Sequence, residues 1–241
     1  KLLKFTKRNN GETTQTDLFA ATGLNAASKL NLDPAEAAEK QDKLKWEKEL
    51  LGVYLSEHPL KGFEHCLPKE TIALNQLGQK PNMSPVVAAG VIQKIKRVIT
   101  KNGQPMMFVT LEDIKGSAEV LVFPKILEAT RDKWLEEEIV IVRGKLTDKD
   151  GSTKIICDTV ESLAERISKI QRLTIDLKCT PQPDLLQRLK LSLQNNIGPV
   201  PVYFKTNRQL VKAGAGIKIS ENSLKEISAI LPADCLKLDI A

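Results

Sequence analysis

Apolar and polar side chains alternate along residues 106–123, on either side of a hinge at Lys115-Gly116. Successive side chains of a strand point to opposite faces, so this period of two predicts a pair of strands. A polar turn at Asn102-Gly103 leads into the pair. One face of the first strand is predicted to carry Met106, Phe108, Thr110 and Glu112, and the other face Met107, Val109, Leu111 and Asp113.

Three more strand candidates and one helix surround this pair. The preceding strand is basic and changes face along its length, and the helix has apolar side chains available for burial. The order strand, strand, strand, helix, strand, strand is that of an OB-fold, a small closed barrel whose open end the helix plugs. The predicted strands are 86–100, 106–113, 117–123, 138–147 and 153–163, and the predicted helix is 124–137.

The flanking segments make the whole chain a mixed α+β protein. A helix is predicted to begin at Asp33-Pro34, where Asp33 can cap free amides and Pro34 fits the first turn, and to end near Leu51. After the barrel we expect strands 173–178, 200–205, 210–219 and 236–240 with helices 184–195 and 223–231, Ser223 and Glu226 having capping-box spacing. The predicted organisation is an arm at 1–32, a helical segment and connector at 33–84, the OB-fold domain at 85–163 and a small α+β domain at 170–241.

Composition is that of an ordinary globular protein, with 41% hydrophobic and 27% charged residues among 241. No apolar run reaches the roughly 18 residues that a membrane span needs, so we expect no membrane partner. The net charge of +6 is concentrated in residues 164–241, which carry 12 basic and 7 acidic side chains. This excess is compatible with phosphate-bearing partners. Because the first residue is Lys, we expect a fragment or a processed piece.

The sequence lacks familiar motifs for catalysis, cofactors and metals. It has no GxGxxG, no phosphate loop with Gly-Lys-Ser/Thr and no HExxH. We therefore expect no catalytic residue, no cofactor, and a chain that is not an enzyme by itself. Without a CxxC pair, buried or half-buried thiols in a reducing cytoplasm are favoured over a zinc site for the four cysteines, Cys66, Cys157, Cys179 and Cys235.

Basic side chains cluster where an OB-fold would present them to an oligonucleotide. Four fall within eight positions with no acidic residue among them, and Arg97 is expected to start the turn between strands one and two. Two more share a face of the fourth strand. Phe108 and Phe123 could stack on bases, although core positions are favoured for both. The predicted nucleic-acid-binding residues are Lys94, Lys96, Arg97, Lys101, Phe108, Arg143 and Lys145.

The pentapeptide Gln15-Thr16-Asp17-Leu18-Phe19 is a candidate docking peptide within the arm. In an extended backbone, Leu18 and Phe19 can enter one apolar pocket while Gln15 bonds polar groups at its edge. Short apolar anchors of this kind are typical of docking segments. The alternative is that Leu18 and Phe19 attach the arm to the body of the protein.

Segments between residues 49 and 145 follow one family pattern in the expected order. They are Glu49-Leu-Leu-Gly-Val-Tyr-Leu-Ser-Glu-His-Pro-Leu60, Gly90-Val-Ile, Thr100-Lys-Asn-Gly, Met107-Phe-Val-Thr-Leu-Glu-Asp113, Glu119-Val-Leu-Val-Phe-Pro124 and Val142-Arg-Gly-Lys145. Together they resemble the C-terminal region of the alpha subunit of bacterial DNA polymerase III, a replicative C-family DNA polymerase. Residues 170–241 are similar to the terminal domain of that family in general pattern.

The resemblance implies a role for each of three parts of this chain and places the catalytic residues of the family elsewhere. Residues 85–163 would meet single-stranded template DNA ahead of the active site. Gln15, Leu18 and Phe19 match the anchors of a peptide that docks on the sliding clamp, the beta subunit. Residues 170–241 would contact the clamp-loader tau subunit. The catalytic aspartates would lie in a palm upstream of residue 1, in the rest of the polymerase chain.

Two other interpretations stay open at this stage. A free-standing OB-fold module that binds single strands or tRNA would have a gene beginning near Lys1. A purely structural protein, whose barrel never touches nucleic acid, would be favoured if acidic side chains mask the basic loop in three dimensions.

Overall fold

The computed structural model describes residues 40–52, 54, 56–148, 151–179, 183–206 and 209–241, which divide into two units after Leu51. In the first unit the described element is helix α1 (Lys40–Leu51), whose end agrees with the prediction. The helix start predicted at Asp33-Pro34 lies outside the described residues, as do the arm and its Gln15, Leu18 and Phe19. Every helix within the described ranges is too short or too polar to cross a membrane.

The second unit runs from Gly52 to Ala241 and contains two sheets. Its described helices are α2 (Pro124–Ala129), α3 (Leu163–Ser168), α4 (Pro183–Asn195) and α5 (Glu221–Ile230). Its described strands are β1 (Pro85–Ile99), β2 (Pro105–Glu112), β3 (Ser117–Val122), β4 (Ile139–Thr147), β5 (Lys154–Ser162), β6 (Ile170–Asp176), β7 (Ile197–Val200), β8 (Val202–Lys205), β9 (Leu210–Lys212) and β10 (Leu236–Ile240).

Strands β1 to β5 close into a barrel in the order β1-β2-β3-β5-β4, which confirms the predicted OB-fold. Closure depends on β1, whose first half pairs with β4 and whose second half pairs with β2. A bulge between Ile92 and Lys94 bends the strand between its two partners. At Gly90 an added Cβ would lie 2.8 Å from the carbonyl oxygen of Glu112, so the bend requires a glycine.

The barrel interior is filled by the face of β2 that carries Met107, Val109 and Leu111, all buried. Leu127 of α2 and Trp134 join the same core, and the Trp134 Nε1 donates to Thr130 Oγ1 at 3.0 Å. The helix predicted for 124–137 is shorter than expected. It ends at Ala129 because Thr130 leaves the helical conformation, with φ −137° and ψ 26°, and a 3-10 turn follows.

The second sheet has the order β10-β6-β8-β9, and an apolar cluster between it and the helices α4 and α5 forms its core. The predicted strand 210–219 is wrong beyond Lys212, because the Ala213-Gly-Ala-Gly216 segment bends the chain. Ile217 returns to the fold through isolated bridges to Ile197 and Val200.

Two helix starts differ from the predictions. Ser220, rather than Ser223, caps α5: its Oγ accepts from the backbone N–H of Ser223, whose own Oγ accepts from the Ser220 N–H. Helix α3 was not predicted, although Ser162 and Glu165 have the capping-box spacing and make both reciprocal hydrogen bonds at 3.1 Å. The predicted strand 153–163 therefore ends one residue early, at the Ser162 cap.

A further apolar cluster joins the barrel to the second sheet through the connector. The connector contributes Phe63, fully buried, and Ser228 of α5 donates to the carbonyl oxygen of Gly62 at 2.9 Å. The barrel and the second sheet therefore share buried contacts within one unit. The cluster consists of Leu60, Phe63, Cys66, Val91, Ile139, Leu163, Ile167, Ile170 and Leu224.

The cysteines follow the prediction in part. Cys66 and Cys157 are free and buried, and burial raises the pKa of each thiol to about 12, so both stay protonated and weakly nucleophilic. The thiol prediction is wrong for Cys235, which is disulfide-bonded. The turn that ends in Cys235 packs against the turn Leu177–Cys179, a proximity that their distance in sequence conceals.

Candidate nucleic-acid interface

One row of side chains crosses all five strands on the outside of the barrel. In the strand register Lys96 lies beside Phe108, Phe108 beside Leu121, Leu121 beside Ile156, and Ile156 beside Lys145. The three apolar side chains are half-buried and the two lysines are exposed. We call these five residues the outer row. An apolar stripe with an ammonium group at each end can hold bases and contact their phosphates.

A second row runs beside the outer row. Lys94 is the register partner of Thr110, Thr110 of Glu119, and Glu119 of Lys154. The Lys154 Nζ lies 2.8 Å from a Glu119 carboxylate oxygen and 5.7 Å from the centre of the Phe108 ring. This ion pair therefore borders the aromatic part of the outer row.

The prediction that Phe108 and Phe123 fill the core is wrong. Phe108 is half-buried on the outer face and Phe123, at the end of β3, is 41% exposed. The reason is the alternation itself: Met107, Val109, Val120 and Val122 occupy the inward positions, which leaves their neighbours outside. The ring of Phe108 is thus accessible for stacking.

Beyond the barrel, β1 and β2 continue as a hairpin. The last register pair between β2 and β3 joins Met107 to Val122, so residues 98–106, which we call the hairpin arm, have no β3 partner. Lys101 is exposed in the turn, where Gly103 has φ +74°. The prediction that Arg97 starts the turn is wrong. Arg97 pairs with Met107 inside the strand, on the face opposite Lys96.

The cations of this side of the barrel are open to solvent. Lys94, Lys96, Arg97, Lys101 and Lys145 are exposed. None of them forms an ion pair with any carboxylate in the part of the chain that the structure describes. Acidic side chains among the described residues therefore leave the basic loop unmasked.

Arg143 lies in different surroundings from the other predicted site residues. Its Nη1 donates to Glu70 Oε1 of the connector at 2.9 Å, and this hydrogen bond lowers the pKa of Glu70 below its ordinary value. In the register Arg143 is beside Val87 and Thr159, away from Phe108. The structure therefore brings Lys94, Lys96, Phe108 and Lys145 together on the outer face and places Lys101 in the adjoining turn. Arg97 lies on the reverse face of β1, and Arg143 is separate from the others.

Three members of this surface were not predicted as site residues. Leu121, Ile156 and Lys154 lie on β3 and β5, which are parallel neighbours although far apart in sequence. Alternation along β3 and β5 puts these side chains on the face opposite the buried Val120, Val122, Ile155 and Cys157. The pairing of β3 with β5, which barrel closure imposes, was needed to place their side chains beside Phe108.

Comparison with known proteins adds evidence of two kinds. A family model described as an OB-fold nucleic acid binding domain matches residues 86–163. The chain is 33% identical over 230 residues to the DNA polymerase III subunit alpha of Saccharopolyspora erythraea, which covers 86% of this chain and 19% of that protein.

Two other relatives carry the same name. The protein of Aquifex aeolicus is 32% identical over 188 residues, covering 76% of this chain and 15% of the relative. That of Borreliella burgdorferi is 30% identical over 229 residues, covering 90% and 19%. The chain thus spans less than a fifth of the length of the curated relatives it matches.

Proposed function

From the membership of this chain in the DNA polymerase III alpha subunit family, shown over most of its length, we propose that it binds single-stranded DNA during replication. The binding surface is the outer row with the neighbouring cations Lys94 and Lys101, and Arg97 adds a cation on the reverse face of β1. The chain acts as a non-catalytic, cytoplasmic part of a polymerase, and nucleotide transfer belongs to other segments of such a protein. The observation that carries the proposal is the lysine-bordered apolar row on the barrel that matches the nucleic acid binding domain.

The chemistry of the outer row fits a single strand of any sequence. Every base has a π-face, so Phe108, Leu121 and Ile156 can support bases without selecting among them. The ammonium groups at the two ends of the row can contact phosphates as point charges. Base edges would stay unread, because exposed side chains with hydrogen-bonding amides or carboxylates are few along this row. We therefore expect little base specificity.

The test is fluorescence anisotropy of a labelled single-stranded oligonucleotide at several salt concentrations. Each phosphate contact is expected to add about −0.7 to the slope of log affinity against log salt. Replacing Lys94, Lys96, Arg97 and Lys101 together by Ala should weaken binding and flatten this slope. An unchanged slope would remove the basic cluster from the proposal, and better competition by tRNA than by single-stranded DNA would favour the free-standing module.

We also propose that Gln15, Leu18 and Phe19 dock on a sliding clamp. The support is the pentapeptide itself, in which two adjacent large apolar side chains follow a glutamine. The double variant Leu18→Ala, Phe19→Ala should lose clamp binding, measured by surface plasmon resonance, and keep the thermal unfolding temperature of the parent chain. Undiminished clamp affinity would show that the pentapeptide does not take part in clamp binding.

For residues 170–241 we propose docking of the clamp-loader tau subunit. The support is an apolar cavity of about 400 Å³ between α4, β8 and the bend after β9. Lys190 is the charged residue of the cavity lining, and the exposed Lys212 directly precedes the lining segment 213–216. Leu186→Glu, in the cavity wall, should weaken tau binding. Leu191→Glu, on the same helix and outside the wall, should not, and the two side chains are 42% and 52% exposed.

A further inference from the structure

The hairpin arm has two faces that differ in character. One face continues the outer surface of the barrel, because Val98 follows Lys94 and Lys96 in the alternation of β1. Ile95, on the reverse face, packs against the barrel core. The strand leaves the barrel after Arg97, whose partner Met107 is the last residue of β2 to pair with β3, and the same reverse face becomes open.

The open part of the reverse face carries one cation and one large apolar side chain. Arg97 is exposed. Ile99 is 70% exposed, more than any other isoleucine that the structure describes. Ile99 pairs with Pro105, which has no amide hydrogen to donate. The end of the hairpin arm is instead closed by its turn, where the Thr100 N–H donates to the Gln104 carbonyl oxygen at 2.8 Å. The β-branched side chain is thus presented at the end of a paired, stiff arm.

We propose that the hairpin arm recognises the junction between single-stranded and duplex DNA, with Ile99 stacked on the terminal base pair. The inference rests on the proposed function, because the single strand must lie on the outer row. A strand held on the outer face leaves Arg97 and Ile99, on the reverse face, free to contact the duplex. Apolar side chains serve elsewhere as wedges against base pairs, and Arg97 supplies a contact for the nearby phosphate.

The test compares two labelled DNA probes with the full 241-residue chain. One probe is a 20-nucleotide single strand and the other is a hairpin duplex with the same single strand as an overhang. Burying Ile99 against the end pair is expected to favour the junction about tenfold. Ile99→Ser should remove that preference and keep affinity for the single strand. Ile114→Ser is the matched control, because Ile114 is 55% exposed in the β2–β3 turn, away from the arm.

A second readout reports the contact directly. A 2-aminopurine at the last paired position should change its fluorescence when the parent chain and the Ile114→Ser variant bind, and should not when Ile99→Ser binds. Equal affinity for the two probes, or equal behaviour of the two variants, would overturn the junction inference and leave single-strand binding standing. Failure to bind either probe would overturn the proposed function and this inference together.

Discussion

Two basic regions of the barrel surface differ in what surrounds their cations. On the side of the outer row, Lys94, Lys96 and Lys145 are exposed and, among the described residues, have no carboxylate partner. On the side that faces the connector and α3, cations are matched by acids: Arg143 with Glu70, and Arg166 and Lys169 with Glu161. Arg143 and Lys145, one from each region, are two residues apart on β4.

The difference separates cations that hold the fold from cations available to a ligand. Arg166 and Glu161 are 15% and 19% exposed, and the Arg166 Nε also donates to the carbonyl oxygen of Cys66. Although burial opposes ionisation of Glu161, hydrogen bonds from Lys169 and Arg166 hold its pKa below the ordinary value. A cation whose charge is already matched gains less from a phosphate than an unmatched surface lysine, which gains a partner when DNA binds.

The most damaging change should be Gly144→Ala, between Arg143 and Lys145, because it disrupts the β4–β5 pairing on which both regions depend. An added Cβ there would lie 2.0 Å from the carbonyl oxygen of Ile156 on β5, and backbone cannot yield cheaply. We expect a loss of about 3 kcal/mol in the free energy of unfolding, measured by urea denaturation. Gly103→Ala is the control: its Cβ meets nothing within 4 Å, and its φ of +74° should cost about 1 kcal/mol. Equal losses would contradict the clash.

The next largest effect should come from Arg166→Ala, which disturbs only the region where cations are paired with carboxylates. Losing charge-assisted hydrogen bonds to Glu161 and to the Cys66 carbonyl should lower the free energy of unfolding by about 2 kcal/mol. Affinity for single-stranded DNA should stay unchanged, because Arg166 lies outside the outer row. A variant that unfolded like the parent but bound DNA poorly would reverse the assignment of the two regions.

The same region should also set part of the dependence of stability on pH. The pKa of Glu161 is lowered on folding, so its contribution is complete above the ordinary value of 4.5 and is lost as pH falls through the lower folded value. In Glu161→Gln this part of the acid destabilisation should be missing, and its stability curve between about pH 5 and pH 3 should be flatter than that of the parent. Parallel curves would contradict the matched network.

The sequence anticipated the barrel better than the site on it. Alternation at residues 106–112 assigned every side chain of β2 to a face, because a strand buried on one side has a strict period of two. It could not decide which face closed inward, so Phe108 was expected in the core. Nor could it show that Arg143 meets Glu70, 73 residues away, since that contact depends on how the connector folds over β4. Pairing partners, rather than local pattern, distinguish the two regions.

Phe108→Ala should sharpen the comparison from the apolar side. Loss of one stacked base is worth about 1–3 kcal/mol, so affinity for single-stranded DNA should fall about tenfold. Because the ring is half-exposed, the free energy of unfolding should change little. The control is Phe123→Ala, because Phe123 is 41% exposed directly after β3 and lies outside the outer row. If both variants weaken binding equally, the apolar surface is general and the row is not the path of the strand.

The smallest effect should come from Lys96→Ala, and it tests the comparison most directly when set beside Arg143→Ala. Both are cations on outer faces of the barrel, and they differ in that Arg143 has Glu70 at 2.9 Å. Removing Lys96 should weaken binding a few-fold and reduce the salt slope by about 0.7, the value of one phosphate contact on a single strand. Removing Arg143 should leave the slope unchanged and change stability little, because the pair is solvent-exposed. Equal slopes for the two variants would mean that a carboxylate partner does not prevent a cation from meeting phosphate, and the distinction between the regions would fail.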